Sequence, residues 1–427
     1  MNPSGNLKFH LQPGGVLSGS LRVPGDKSIS HRSIMLGSLA EGVTHVSGFL
    51  EGEDRLATLR AFRDMGVEIE GPDAGRVVIH GVGMHGLRQP ESSLYLGNSG
   101  TSMRLLSGLL AGQAFDTTLT GDSSLSSRPM RRITEPLTQM GARIVASEQG
   151  TAPLQIKGGT TLTGISYQMP VASAQVKSSL LLAGLYADGT TTVTEPAPTR
   201  DHTERMLTGF GYRVIREENR IGLAGGGRLS ACDIDVPADI SSAAFFLVGA
   251  SIAPGSDLLL EHVGINRTRD GVINILRLMG ADISVVNRRE VGGELVADLR
   301  VRSAKLRGIR IPEEQVPLAI DEFPAIFIAA ACAEGETILT GAEELRVKES
   351  DRIQVMADGL VALGIDAQVT ADGIQIHGGW MSGGEVESHG DHRIAMAFAI
   401  AALRADGEIR INDCRNVDTS FPGFVSL

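Results

Sequence analysis

The chain is poor in the residues that announce several common functions. Its three cysteines, Cys232, Cys332 and Cys414, are far apart and odd in number, and no CxxC pair exists. That argues against a disulfide framework and a cysteine zinc site, and it fits a reducing cytoplasm. No run approaches the roughly 18 apolar residues of a membrane span. The opening stretch, MNPSGNLKFHLQPGG, has no apolar signal core, so a soluble protein with no membrane partner is expected. Positive charge is in deficit: the formal net charge of -11 disfavours general nucleic-acid binding and leaves room for a local basic pocket. Aromatic residues make up 4% of the chain, with one tryptophan, whereas glycine occurs 53 times, a balance that implies many tight turns and helices filled with Ala, Leu and Ile.

What is present begins with PGDKSISHR, residues 24–32, where Lys27, Ser28, Ser30, His31 and Arg32 follow a Pro-Gly break. A phosphate-binding P-loop is ruled out there, because Asp26 separates Gly25 from Lys27. The stretch runs into a helical sequence, SIMLGSLA, and Ser28 or Ser30 could cap that helix and leave amide groups free for an anion. Taken alone it reads as a helix cap with two solvated cations or as an anion site.

The chain is repetitive, and 427 residues exceed one ordinary domain. A small polar cluster, an apolar helical run and a closing glycine recur six times. The copies run from DKSISHRSIMLGSLAEG (26–42) through NSGTSMRLLSGLLAG, SAQVKSSLLLAGLYADG, DISSAAFFLVGASIAPG and DEFPAIFIAAACAEG to DHRIAMAFAIAALRADG (391–407). Most continue into a β-like run and an amphipathic helix that stops at MGVEI (65–69), MGARI (140–144), FGYRV (210–214), MGADI (279–283) or LGIDA (363–367). Each repeat therefore reads as helix, strand, helix, strand, strand over roughly 70 residues. The sixth is truncated, and LKFHLQPGGVLSGSLRVPG near the start is expected to supply the strands that complete it. Six repeats split into two lobes of three, residues 21–238 and residues 1–20 plus 239–427. Closed α/β domains are expected rather than a solenoid, whose repeats are smaller.

Polar and charged residues gather where the apolar helices begin: Lys27 and Arg32; Asn98, Ser99 and Arg104; Ser173, Gln175 and Lys177; Asp239; Asp321 and Glu322; Asp391, His392 and Arg393. Equivalent helix starts in a pseudosymmetric array should converge on an interdomain cleft, where positive helix ends join the cations to hold anions. SSRPMRR adds Arg128, Arg131 and Arg132, and ELRVKESDR adds Arg346, Lys348, Glu349 and Arg352. Glu349 and Arg352 could face together if a helix starts there.

In this order and at fitting spacings, PGDKSISHR, LGNSGTSMR, SSRPM, SAQVKS, IDEFP, LRVKESDR and GDHRIAM resemble the 5-enolpyruvylshikimate-3-phosphate synthase family over about residues 8 to 424. The resemblance implies two similar domains, each of three βαβαββ units in an inside-out α/β barrel, with the active site in the interdomain cleft. It implies 3-phosphoshikimate 1-carboxyvinyltransferase activity on the shikimate pathway to aromatic amino acids. The 5-hydroxyl of shikimate 3-phosphate attacks C2 of phosphoenolpyruvate, a tetrahedral adduct forms and phosphate leaves. It implies a monomer with these two small-molecule substrates, no nucleic-acid partner, and no organic cofactor or metal. By matching motifs, Lys27, Ser28, Arg32, Ser173, Ala174, Gln175, Arg200, Asp321 and Lys348 are implied as shikimate 3-phosphate contacts. Lys27, Gly100, Arg128, Gln175, Arg352 and Arg393 are implied as phosphoenolpyruvate contacts. Asp321 is the candidate base at the 5-hydroxyl, and Glu349 the candidate acid at C3 with Lys27 as its competitor. His392 would orient Arg393 or exchange protons. Two phosphates and two carboxylates must enter one site, and arginine forks match both.

The chain departs from the family pattern at four places. Thr419 stands where a lysine often precedes the C-terminal TFP, and Leu105 where a proline often follows the arginine. Ala174 replaces a second serine before Gln175, and Glu344 an asparagine four residues before Lys348. Gly100 is expected to lie against phosphoenolpyruvate, where a methyl group would intrude on the competitor glyphosate. Two other protein classes share part of this pattern. UDP-N-acetylglucosamine enolpyruvyl transferases share the fold but often use a loop cysteine that none of the three thiols matches. A six-unit DNA clamp would line its hole with basic helix faces.

Overall fold

The core helices of the carboxy-terminal repeats are the most apolar, and a helix of that kind has to be surrounded. Ile240–Ile252 buries all 13 of its residues and Phe323–Ala331 all 9. Small residues let such helices approach closely. A methyl group at Gly108 would lie 2.0 Å from the Ser179 carbonyl oxygen, so helices Gly100–Ala111 and Ala174–Gly184 cross backbone to backbone and only glycine fits.

The structure, a computed structural model, describes residues 7–427; residues 1–6, assigned above to the second lobe, lie outside the described residues. The chain forms two units. An amino-terminal lobe comprises Gly25–Val236 and the hairpin tip Glu290–Glu294, and a carboxy-terminal lobe comprises the segment up to Pro24, Pro237–Arg289 and Leu295–Leu427. Each lobe has its own apolar core.

In the amino-terminal lobe three four-stranded sheets repeat one plan. A leading strand runs parallel to the first strand after the core helix, and a hairpin follows. In the first repeat Glu41–Ser47 pairs antiparallel with Arg76–Val82, Val46 opposite Val77, and Glu68–Asp73 pairs next, Ile69 opposite Ile79. These four side chains alternate inward and are all buried. Leu94–Tyr95 and Ser166–Gln168 lead the second and third sheets. The first sheet takes its leading strand from the end of the lobe, Ile234–Asp235, which lies parallel to Val46–Ser47. The second helices stop at Gly66, Gly141, Gly211, Gly280 and Gly364, with φ from +81° to +100°, left-handed turns that send the chain back as a strand.

The carboxy-terminal lobe corrects one expectation. Of the two strands in the N-terminal segment, only Phe9–Leu11 completes the sixth repeat, antiparallel to Ile409–Asn412. Ser18–Leu21 instead leads the fourth sheet, parallel to Asp257–Gly264. The fifth repeat is led by bridges alone, Arg307 with Glu334 and Arg310 with Ile338.

Candidate active site

Asp26, not Ser28 or Ser30, caps helix Lys27–Leu39: its carboxylate accepts from Ile29 N at 2.8 Å. Ser28 lies in the first turn, and Ser30 Oγ accepts from Leu50 N at 3.1 Å. Ser99, Ser173, Asp239 and Asp391 cap four further core helices in the same way. Three of the six core helices thus start under a carboxylate, which occupies the positive helix end that an anion would otherwise meet.

In the amino-terminal lobe, Lys27 Nζ lies 2.6 Å from Asp54 Oδ2. Burial pulls the Asp54 carboxyl upward, but the Lys27 ammonium and its hydrogen bond, then His31 and Arg55, outweigh it and hold the group at about 2. His31 is fully buried, with Nδ1 2.8 Å from Thr58 Oγ1; burial, then the charges of Arg55 and Lys27, keep it neutral. Arg32 is fixed by three donated hydrogen bonds, to Thr203 Oγ1 at 2.7 Å, Ser178 Oγ at 2.9 Å and Ser28 O at 2.9 Å. Burial lowers it to about 10, with Glu204 and Asp26 opposing and the Arg200 charge adding to the effect, so it stays cationic at neutral pH.

A second cluster in the same lobe gathers Gly100, Arg104, Arg128 and Gln175. A methyl group on Gly100 would stand 3.1 Å from Arg128 Nη1 and 3.5 Å from Arg104 Nη1. Arg104 donates to Gln175 Oε1, and Gln175 Nε2 donates to Thr101 Oγ1 at 3.1 Å. Arg128 donates to Asn98 Oδ1, and Asn98 Nδ2 donates to Asp122 Oδ2 at 2.9 Å. Burial, then the charges of Arg132 and Arg128, lower Arg104 to about 9. Cations crowded in this way are stabilised by an arriving anion. Ser173 caps helix Ala174–Gly184 and Ala174 opens it, which sets Gln175 one turn-start residue further in.

In the carboxy-terminal lobe Asp321 stands among three cations. Lys348 Nζ and Arg352 Nη1 lie 3.8 and 3.5 Å from Oδ1, and Arg393 Nη2 lies 4.0 Å from Oδ2. Arg393 Nη1 also donates to the Asp321 carbonyl at 3.0 Å. Helix Arg352–Ala362 begins at Arg352 itself, with Asp351 as cap, so Glu349 meets Arg352 across the helix start at 2.5 Å rather than along its face. Arg352 Nε donates to Asp391 Oδ2 at 2.8 Å. Burial alone would lower the Arg352 pKa, but Asp391, Glu349 and Asp321 raise it above the ordinary value. Desolvation pulls Glu349 upward, and Arg352, His392 and Arg393 together outweigh it, so the carboxyl is held below the usual carboxylate range. Burial, then Arg393, lowers His392 to about 4, which leaves it neutral.

The departures from the family pattern have structural consequences. Glu344 Oε1 lies 2.6 Å from Lys348 Nζ, so the carboxylate at this position forms an ion pair that a neutral asparagine could not. Thr419 Oγ1 donates to Asn416 O at 2.6 Å. Leu105 is fully buried in the core of its lobe. The sequence-based site omits Arg104, Asp54 and Asp391. Arg104 and Asp391 stand inside the quoted motifs at helix starts, which is the available signal. Asp54 carries none, because only the fold brings it to Lys27.

The sequence matches the family described as EPSP synthase (3-phosphoshikimate 1-carboxyvinyltransferase) over residues 11–427. The 3-phosphoshikimate 1-carboxyvinyltransferase of Methylococcus capsulatus is 73% identical over 422 residues, 99% of this chain and 97% of the relative. That of Alkalilimnicola ehrlichii is 71% identical over 423 residues, 99% of this chain and 95% of the relative. Among solved structures, EPSP synthase from Acinetobacter baumannii matches with a TM-score of 0.93 at 62% identity, covering 99% of this chain and 97% of that one. With motifs, fold and whole-length similarity in agreement, the chain belongs to the EPSP synthase family.

Proposed function

We propose that the clusters of the two lobes serve one substrate pair, and that the chain transfers the enolpyruvyl group of phosphoenolpyruvate to the 5-hydroxyl of shikimate 3-phosphate with release of phosphate. The observation that carries this reading is the collection of cations on a chain of net charge -11. Lys27 and Arg32 stand around His31 and Arg104 and Arg128 around Gly100 in one lobe, and Lys348, Arg352 and Arg393 surround Asp321 in the other. Two phosphates and two carboxylates need that charge, and the same groups stabilise the anionic tetrahedral adduct.

Lys27, Ser28, Arg32, Ser173, Ala174, Gln175, Arg200, Asp321 and Lys348 are assigned to shikimate 3-phosphate. Lys27, Gly100, Arg128, Gln175, Arg352 and Arg393 are assigned to phosphoenolpyruvate. Asp321 is the base at the 5-hydroxyl. Glu349 is ionised while Arg352 and Arg393 face it without substrate. Phosphoenolpyruvate would take up those guanidinium charges, which raises the Glu349 pKa and readies it to donate a proton to C3. Lys27 is the competing donor. All three clusters lie on one chain and all three thiols are free, which supports a monomer working in the cytoplasm.

Phosphate release from phosphoenolpyruvate, measured with and without shikimate 3-phosphate, tests the assignment. Release should depend on the second substrate, and release that ignores it would reject the reading.

A further inference from the structure

Arg32 is held differently from Arg352, the buried arginine beside Asp321. Arg352 gives its Nε–H to a carboxylate, that of Asp391. Arg32 gives its Nε–H and one Nη2–H to two neutral hydroxyls, Thr203 Oγ1 at 2.7 Å and Ser178 Oγ at 2.9 Å. Those hydroxyls are themselves joined, Thr203 donating to Ser178 Oγ at 2.7 Å. Two oxygens that close together fit the side edge of a guanidinium much as a carboxylate would. They carry no charge, so they orient the arginine without neutralising it. The carboxylates whose charge reaches Arg32 have partners of their own: Glu204 meets Lys177 at 2.6 Å, Asp26 caps helix Lys27–Leu39, and Glu294 meets His202 at 2.8 Å. Ser28 O takes one Nη1–H. With three of its five donors used, Arg32 keeps one N–H on each terminal nitrogen for a ligand.

We propose that Thr203 and Ser178 are positioning residues for Arg32, a neutral hydroxyl pair that aims its guanidinium and sets the affinity for shikimate 3-phosphate. The inference rests on the reading above that Arg32 meets that substrate. Both residues are fully buried on different helices, Ser178 on Ala174–Gly184 and Thr203 on His202–Gly209, so the aim of Arg32 depends on how these two helices pack against helix Lys27–Leu39.

The test is steady-state kinetics on both substrates for Thr203→Val, Ser178→Ala, Thr203→Ser and Arg32→Ala, with thermal midpoints recorded alongside. Thr203→Val should raise KM for shikimate 3-phosphate about tenfold. Its kcat and its KM for phosphoenolpyruvate should stay within about twofold of the parent. Ser178→Ala should move the same way, and Thr203→Ser should restore the parent KM. A Thr203→Val protein with the parent KM, whether or not its midpoint falls, overturns the proposal. So does an equal rise in KM for both substrates. If Thr203→Val does not fold, Ser178→Ala decides by the same criteria. Arg32→Ala separates the two levels. An unchanged KM there overturns the assignment of Arg32 to the substrate, whereas an impaired Arg32→Ala beside a normal Thr203→Val overturns the positioning role alone.

Discussion

Gly100 owes its identity to two guanidiniums. A methyl group there would press on Arg128 Nη1 at 3.1 Å and meet Arg104 Nη1 at 3.5 Å. Both are ends of flexible side chains, so Gly100→Ala should fold, with the arginines displaced by a few tenths of an ångström. Phosphoenolpyruvate should still turn over with a raised KM. The bulkier competitor glyphosate should lose at least about tenfold more in its inhibition constant, as a single methyl can in a close-fitting pocket. Inhibition assays on both proteins check this, and equal inhibition would remove Gly100 from the pocket wall. Asp54 makes a different kind of prediction. Its folded carboxyl titrates at about 2 rather than 3.8, so its stabilising share is present above about pH 4 and is lost as the pH falls towards about 2. Asp54→Asn should lower the unfolding free energy at neutral pH by about 2 kcal/mol. The gap between parent and variant, read from urea curves, should narrow on acidification through that window. Single residues were the scale at which sequence reading was weakest. Lys27 and Arg352 stand out in their motifs, but the acids that hold them, Asp54 and Asp391, are 27 and 39 residues away and are chosen by packing.

Elements were more legible, because their stops have a conformational cause. A glycine in the left-handed region after an amphipathic run ends a helix wherever it occurs, and all five Met-Gly, Phe-Gly and Leu-Gly stops adopt it. Starts were less so. Asp26, Ser28 and Ser30 are all competent caps, and the chain uses the one whose backbone is extended just before the first helical residue. Strand partners were the least accessible feature. Phe9 pairs with Ile411 and Ser18 with Asp257, so two neighbouring short strands serve different sheets, a choice that depends on the finished fold. Helix Arg352–Ala362 allows a clean test of a start. Asp351 Oδ1 accepts from Gln354 N at 3.1 Å, and Oδ2 lies 2.7 Å from Arg346 Nη1. Asp351→Ala should cost about 1 kcal/mol in urea unfolding. Asp351→Asn keeps a side-chain oxygen for the cap and loses only the partly exposed ion pair, so it should retain more than half of that. Equal losses in the two variants would assign the stabilisation to the ion pair instead.

Across the whole molecule, seven motifs occurring in order were enough to suggest the family, since no single one is specific and their joint order is. The three cysteines bear on the choice between this family and the sister transferases that use a thiol. Cys332 caps the far end of helix Phe323–Ala331, whose start lies beside Asp321, and nine residues of helix separate the two by about 14 Å. Burial pushes its thiol up to about 12 and that of Cys414 up to about 11. The Cys232 thiol is also raised, by burial and then by Asp233. None is a thiolate near neutral pH, and the thiolate is the form that reacts. Iodoacetamide at neutral pH should therefore modify the folded protein slowly and leave phosphate release from the complete substrate pair unchanged. Counting modified thiols by intact mass while following activity makes the outcome decisive. Loss of activity in step with one modified cysteine would place a thiol in the chemistry, and the cation-based assignment of Lys27, Asp321 and Glu349 would have to give way to it.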